Sequence, residues 1–118
     1  MPAVKFYQYS KCSTCVKAKK FLESKGVDYK DIPIVDNPPT KTDLKKMLKA
    51  YNGELKKLFN TSGVMYREMN IKDKMPKMTE AKALELLSKN GKLIKRPFMI
   101  SEKGSVVGFK EDEWKKLF

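Results

Sequence analysis

The sequence predicts an α/β fold in which helices flank a mixed sheet, and three observations predict it. An alternating, aromatic-rich run, VKFYQY, leads directly into a helical pattern. A second strand-like run follows that helix, so the opening is a β-α-β unit with parallel strands. The chain then closes on two short strand runs around the turn EKG and on a final amphipathic helix. With 118 residues, 41% of them hydrophobic, the chain has the size and composition of one domain that buries a core.

Each element has its own signal. Residues 4–9, VKFYQY, are the first predicted strand. In SKCST the serines and threonine suit a helix N-terminus. CVKAKKFLESKG then sets Cys15, Ala18, Phe21 and Leu22 on one face, with Gly26 as its C-terminal stop. VDYKDIPIVD is the second strand, and Pro33, which has no N–H to donate, places it near a sheet edge. Asn37-Pro38-Pro39 breaks the pattern, Thr40 offers an N-cap, and Leu44, Met47, Leu48 and Tyr51 form an apolar stripe ending at Gly53. ELKKLFNTSG predicts a short helix and VMYREMNIKDK another. In MTEAKALELLSKNG, Thr79 is a cap and Ala83, Leu84, Leu86 and Leu87 face inward. LIKRPFMIS and GSVVGF read as a hairpin, and KEDEWKKLF as a helix with acids first and lysines last, as its dipole prefers. The order β-α-β, helices, β-β-α is the outline of a thioredoxin-like (glutaredoxin-like) domain over residues 1–118, with a helical insertion between the second and third strands at about 40–92.

Charge narrows the partners. The net charge is +12, from 26 basic and 14 acidic residues, and only Arg67 and Arg96 are arginines. Lysine is a flexible point charge without the fork that reads guanine, which argues against sequence-specific DNA binding. Attraction to acidic partners or nucleic-acid backbones stays open beside the plainer reading of solvated helix faces. No signal-peptide pattern and no apolar run of membrane length is visible, so the expected location is the cytoplasm and the expected state a monomer. There thiols are kept reduced, and a lasting structural disulfide would be unusual.

The only cysteines, Cys12 and Cys15, stand three residues apart. A structural zinc site needs four ligands, and two cysteines without a histidine do not supply them unless two chains share the site. A permanent staple across two intervening residues would remove little unfolded-state entropy. Two unrelated core cysteines remain an alternative, since free cysteine is often a small buried hydrophobe. Redox exchange accounts for more. A sulfur at a helix start faces unpaired N–H groups, and Lys11 and Lys17 add positive potential; both favour the nucleophilic thiolate. Cys15, one turn on, can attack a mixed disulfide on Cys12 and release the partner. Ser13 and Thr14, between them, tune the potential. Arg96-Pro97 opens the third strand, and its guanidinium can grip an anion held over Cys12; an ordinary edge proline beside a surface arginine is the alternative.

KCSTCVKAKKFLESKG, NPPTKTDLKKML, LIKRPFMI and VGFKEDEW, in this order, resemble the ArsC/Spx family over essentially the whole chain. The resemblance implies a thioredoxin-like fold with cis Pro97 opposite Cys12, and cysteine redox chemistry with glutathione or a thioredoxin- or glutaredoxin-type partner as reductant. The family's arsenate reductases hold the oxyanion with three arginines. Arg96 matches one; Asn60 stands at the second, and Gly108 and Phe109 at the third. Losing two guanidinium groups removes charge-assisted hydrogen bonds worth about 1.5–3 kcal/mol each, which argues against efficient arsenate reduction. Spx-type regulators carry a CxxC switch and bind the C-terminal domain of the RNA polymerase α subunit. Cys12 and Cys15 match that switch and Gly53 falls near a glycine of that contact, although a helix-ending glycine explains it equally. The chain stops soon after its last helix, short of the tail such regulators carry. FNTSGVMYREMNIKDK resembles best the small ArsC-like proteins regarded as thiol-dependent reductases. The expected catalytic residues are thus Cys12, Cys15 and Arg96, with Lys11, Ser13, Thr14, Asn60 and Pro97 around the cleft and no metal. The turn Asn60-Thr61-Ser62-Gly63 either lines that cleft or caps the helix near Val64.

Overall fold

In the computed structural model, which describes residues 4–9 and 11–118, strand β1 (Val4–Gln8) leads to helix α1 (Ser13–Ser24) and strand β2 (Tyr29–Pro33). β2 runs parallel to β1. On the other side of β1, strand β3 (Phe98–Ser101) pairs antiparallel, and strand β4 (Gly104–Val107) pairs antiparallel with β3. The order β2-β1-β3-β4 is the thioredoxin-like mixed sheet expected from the sequence, and Pro33 ends its edge strand. Ser10, read as part of the helix start, lies outside the described residues.

The insertion between β2 and β3 holds helices α2 (Lys41–Ala50), α3 (Val64–Glu68), α4 (Ile71–Lys74) and α5 (Glu80–Lys89). Helix α6 (Glu111–Leu117) closes the chain. The capping readings hold: Thr40 and Thr79 hydroxyls accept from the N–H groups of Asp43 and Lys82, both at 3.2 Å. The insertion is more broken than its pattern implied. In ELKKLFNTSG only Leu55–Leu58 is helical, as a 3₁₀ turn, because Phe59 goes extended to bridge Ile94. VMYREMNIKDK splits into α3 and α4 at Asn70, whose φ of 54° no α-helix accommodates. On α5, Ala83, Leu84 and Leu87 are buried and Leu86 only partly, since at 100° per residue it falls beside the contact stripe.

Two apolar layers sandwich the sheet. Phe6 and Met99 face Ala18, Phe21 and Leu22 of α1 and Trp114 of α6. Tyr7, Phe98 and Ile100 face Leu44, Met47 and Leu48 of α2 and the α5 stripe. β1 thus buries an aromatic ring on each face, Phe6 on one and Tyr7 on the other, as befits a central strand, while Lys5 stays exposed. One buried carboxylate pins α2 to β1: Asp43 accepts from the Tyr7 hydroxyl at 3.1 Å and from Lys5 Nζ at 3.2 Å. Burial, together with that carboxylate, pushes Tyr7 up to about 12. Gly91 is required for contact reasons: a β-carbon there would overlap the Ile34 carbonyl, against which the Gly91–Leu93 turn is laid. Among the described residues no helix is long and apolar enough to cross a membrane.

Candidate functional site

Cys12 is itself the N-cap of α1. Its backbone is extended, at φ −93° and ψ 115°, and its N–H donates to the Tyr9 carbonyl at 3.0 Å. Its sulfur accepts from the Cys15 N–H at 3.3 Å, the bond that a serine or threonine oxygen ordinarily supplies to an orphan donor of the first turn. The sulfur thereby sits where backbone N–H groups converge at the helix start. Cys15 lies one turn later on the inward face with Ala18 and Leu22, and is 1% exposed. Both cysteines are free thiols.

Burial, and next a hydrogen bond to the Cys12 sulfur, push the Cys15 thiol up to about 12, while the Tyr9 backbone and the Arg96 charge pull it the other way. The same pair is thus divided between a partly exposed sulfur and a sealed, protonated one. Iodoacetamide between pH 7 and 9 should add one group per chain, on Cys12, as read by peptide mass spectrometry. Equal labelling of Cys15 over that range would contradict the division.

Cys12 and Thr14 form one side of a cleft of about 610 Å³. Asn60, Ser62, Gly63 and Val64 form the second side, and Lys95 and Arg96 with the corner Val107–Lys110 form the third. Backbone pairing fixes this arrangement. The Asn60 N–H donates to the Leu93 carbonyl at 2.7 Å, and the Lys95 N–H to the Leu58 carbonyl at 2.8 Å. The Gly108 N–H donates to the Pro97 carbonyl at 2.8 Å, tying the end of β4 to the start of β3. A smaller cleft of about 230 Å³ adjoins, sharing Asn60, Gly63, Val64 and Arg96 and adding Tyr9 and Lys92.

The expected site residues divide in two groups. Cys12, Thr14, Asn60 and Arg96 meet in the cleft, with Cys15 beneath Cys12. Lys11 and Ser13 are exposed and outside its lining. They occupy the loop and first helical position, where side chains splay toward solvent. Pro97, joined to Arg96 by a cis peptide, is buried behind the cleft wall rather than on it. The Arg96 guanidinium lies 4.8 Å from the Tyr9 ring centre, which holds it at the cleft's edge. Of the two readings of the Asn60–Gly63 turn, geometry gives the cleft. The Ser62 hydroxyl donates to Asn60 Oδ1 at 3.3 Å, and α3 starts at Val64 with Gly63 in the capping position and no side-chain cap. Lys95 and Lys110 were not anticipated, whereas Phe109, expected with Gly108 at the third arginine position, does line the cleft. Lys95 could have been, since it precedes the Arg96-Pro97 pair, but among so many lysines nothing in the periodicity distinguishes Lys110.

A family model described as the ArsC family matches residues 7–117. The chain belongs to the ArsC family. Within it, the chain is 46% identical over 111 residues to the uncharacterized protein YusI of Bacillus subtilis, covering 94% of each chain. A crystal structure of a protein from Bacteroides fragilis, described as ArsC-family related, superposes with a TM-score of 0.91 at 46% identity, over 98% of each chain. The regulatory protein MgsR of Bacillus subtilis is 28% identical, over 95% of this chain and 87% of its own. The residues standing where the ArsC/Spx resemblance expected further arginines, Asn60 for the second and Gly108 and Phe109 for the third, lie in the Cys12 cleft and bring no charge.

Proposed function

We propose that this ArsC-family chain is a thiol–disulfide oxidoreductase working through Cys12 and Cys15. The observation that carries the reading is the capping sulfur of Cys12, open to a cleft, with the Cys15 thiol hydrogen-bonded beneath it. In this reading the Cys12 thiolate attacks one sulfur of a disulfide, that S–S bond breaks, and the departing thiolate takes the electron pair. Cys15 then gives up its proton to solvent and attacks the Cys12 sulfur, which closes the protein disulfide and releases the second thiol. Glutathione or a thioredoxin- or glutaredoxin-type partner restores both thiols, as in a reducing cytoplasm. Arg96, the one charged match to the arsenate-reductase pattern, lines the same cleft as Cys12 and offers its guanidinium to an anionic species bound there. With Asn60 at the second position and Gly108 and Phe109 at the third, a disulfide is favoured over arsenate as substrate.

Equilibration of the protein in glutathione buffers of graded potential, followed by thiol titration and an arsenate turnover assay, tests this. The expected result is joint loss of both thiols in one two-electron transition, without arsenate turnover. Thiols that resist oxidation, or that are lost independently, would refute it. The similarity to MgsR supports a second reading, a redox-switched regulator that turns nothing over. Its signature would be binding to the C-terminal domain of the RNA polymerase α subunit by one redox form alone.

A further inference from the structure

We infer that Lys95 and Lys110 make the Cys12 cleft selective for disulfides that carry carboxylates; this rests on the thiol-exchange reading above. Three cations, Lys95, Arg96 and Lys110, line the cleft, and among the described residues no aspartate or glutamate does. Glu111, Asp112 and Glu113 follow Lys110 in the first turn of α6 but are not part of the lining. Lys92 extends the positive wall into the adjoining cleft through Arg96. Val64, Val107 and Phe109 supply apolar walls, which strengthen a field of one sign at the mouth.

The placement of Lys95 is built into the backbone. Gly108 has φ 72°, a left-handed conformation that glycine adopts without strain, and a β-carbon there would come within 3.2 Å of Lys95 Cε. The lysine stem therefore crosses the corner that a side chain at position 108 would fill. Charge reaches this side of the cleft from the segment before β3 instead of from the corner after β4. It arrives as an ammonium, a point charge without the fork that grips one compact oxyanion. Separate point charges suit separate carboxylates. A cleft of about 610 Å³ leaves room for an organic disulfide that carries them.

The reaction at this site is stoichiometric. The reduced protein gives two electrons to the disulfide R–S–S–R, forms the Cys12–Cys15 bond and releases two R–SH, the protons coming from the two protein thiols. Three probes separate charge from reactivity: 5,5′-dithiobis(2-nitrobenzoate), with two carboxylates; neutral 4,4′-dithiodipyridine; and cystamine, with two ammonium groups. Rates of reaction with the fully reduced protein are measured at low ionic strength. The anionic-to-neutral rate ratio should fall about tenfold in the K95Q/K110Q double variant, toward the low end of what a focused cleft contributes. K95R/K110R, which keeps both charges, should retain the ratio, and added salt should lower it. Removing the same charge from exposed helix positions, K45Q/K82Q, should leave it in place. Cystamine should be the slowest probe in the unaltered protein. An anionic-to-neutral ratio as high in K95Q/K110Q as in K45Q/K82Q would overturn the selectivity while leaving thiol exchange intact. If even the neutral probe fails to oxidise the Cys12–Cys15 pair, the exchange reading falls and the selectivity falls with it.

Discussion

Serine at position 12 should abolish disulfide exchange, whereas serine at position 15 should trap it halfway. Cys12→Ser keeps a capping oxygen for the Cys15 N–H, so α1 retains its start and the variant should fold. What it lacks is a group that ionises into a nucleophile. The remaining thiol, on Cys15, is 1% exposed, and burial, the largest cause of its raised pKa, persists without Cys12, so it should not take over at neutral pH. Cys15→Ser leaves Cys12 able to attack and removes the thiol that would release the captured partner. Intact-mass spectrometry after brief exposure to a disulfide should show no adduct on Cys12→Ser and one stable mixed disulfide on Cys15→Ser. The two outcomes are linked: an adduct on Cys12→Ser would mean that Cys15 is the attacking sulfur and that its burial is not maintained in solution. An adduct on Cys15→Ser that falls off as fast as from the unaltered chain would mean that some other group resolves it.

How much of this site could be read from the chain depends on the range of the interaction concerned. The cysteine pair, its helix and the Thr40 and Thr79 caps are local, and residue type at fixed spacing predicts them. The sheet order followed because a β-α-β unit and a terminal hairpin leave few ways to share one core. The third wall of the cleft was not legible in the same way. Lys95 enters the cleft because Leu58–Asn60 pairs with Leu93–Lys95 across the insertion, and because Gly108 leaves room for its stem. Both are contacts between segments distant in sequence. The break at Asn70 was hidden for the opposite reason: VMYREMNIKDK has helical content throughout, and one residue with positive φ overrides it. Lys11 shows the limit of nearness in sequence, since it adjoins Cys12 yet lies outside the cleft lining.

Trp114→Ala should cost about 3–5 kcal/mol of folding stability, out of the roughly 5–15 kcal/mol a domain of this kind possesses. The indole is fully buried and lies edge-on to Phe6, Phe21 and Phe109, with ring centres at 6.3, 6.2 and 5.1 Å. It is the piece of α6 that seals one face of the sheet, and its N–H donates to the Gly108 carbonyl at 3.2 Å. Removing it opens a cavity against α1 and frees the corner that carries Phe109 and Lys110, so a structural change should reach the cleft. Trp114→Phe separates the two effects. It retains an aromatic ring for the packing but leaves the Gly108 carbonyl unpaired, a loss of about 1–3 kcal/mol. Urea unfolding followed by circular dichroism should therefore order the variants unaltered, Phe, Ala. The alkylation rate of Cys12 in the folded Trp114→Phe protein should also change, because one wall of its cleft has lost the hydrogen bond that fixes it. An unchanged rate in a destabilised protein would show that the packing under the sheet and the opening over Cys12 are independent, and that the Gly108 N–H to Pro97 bond and the Val107 N–H to Tyr51 hydroxyl bond at 3.1 Å set the corner without the indole.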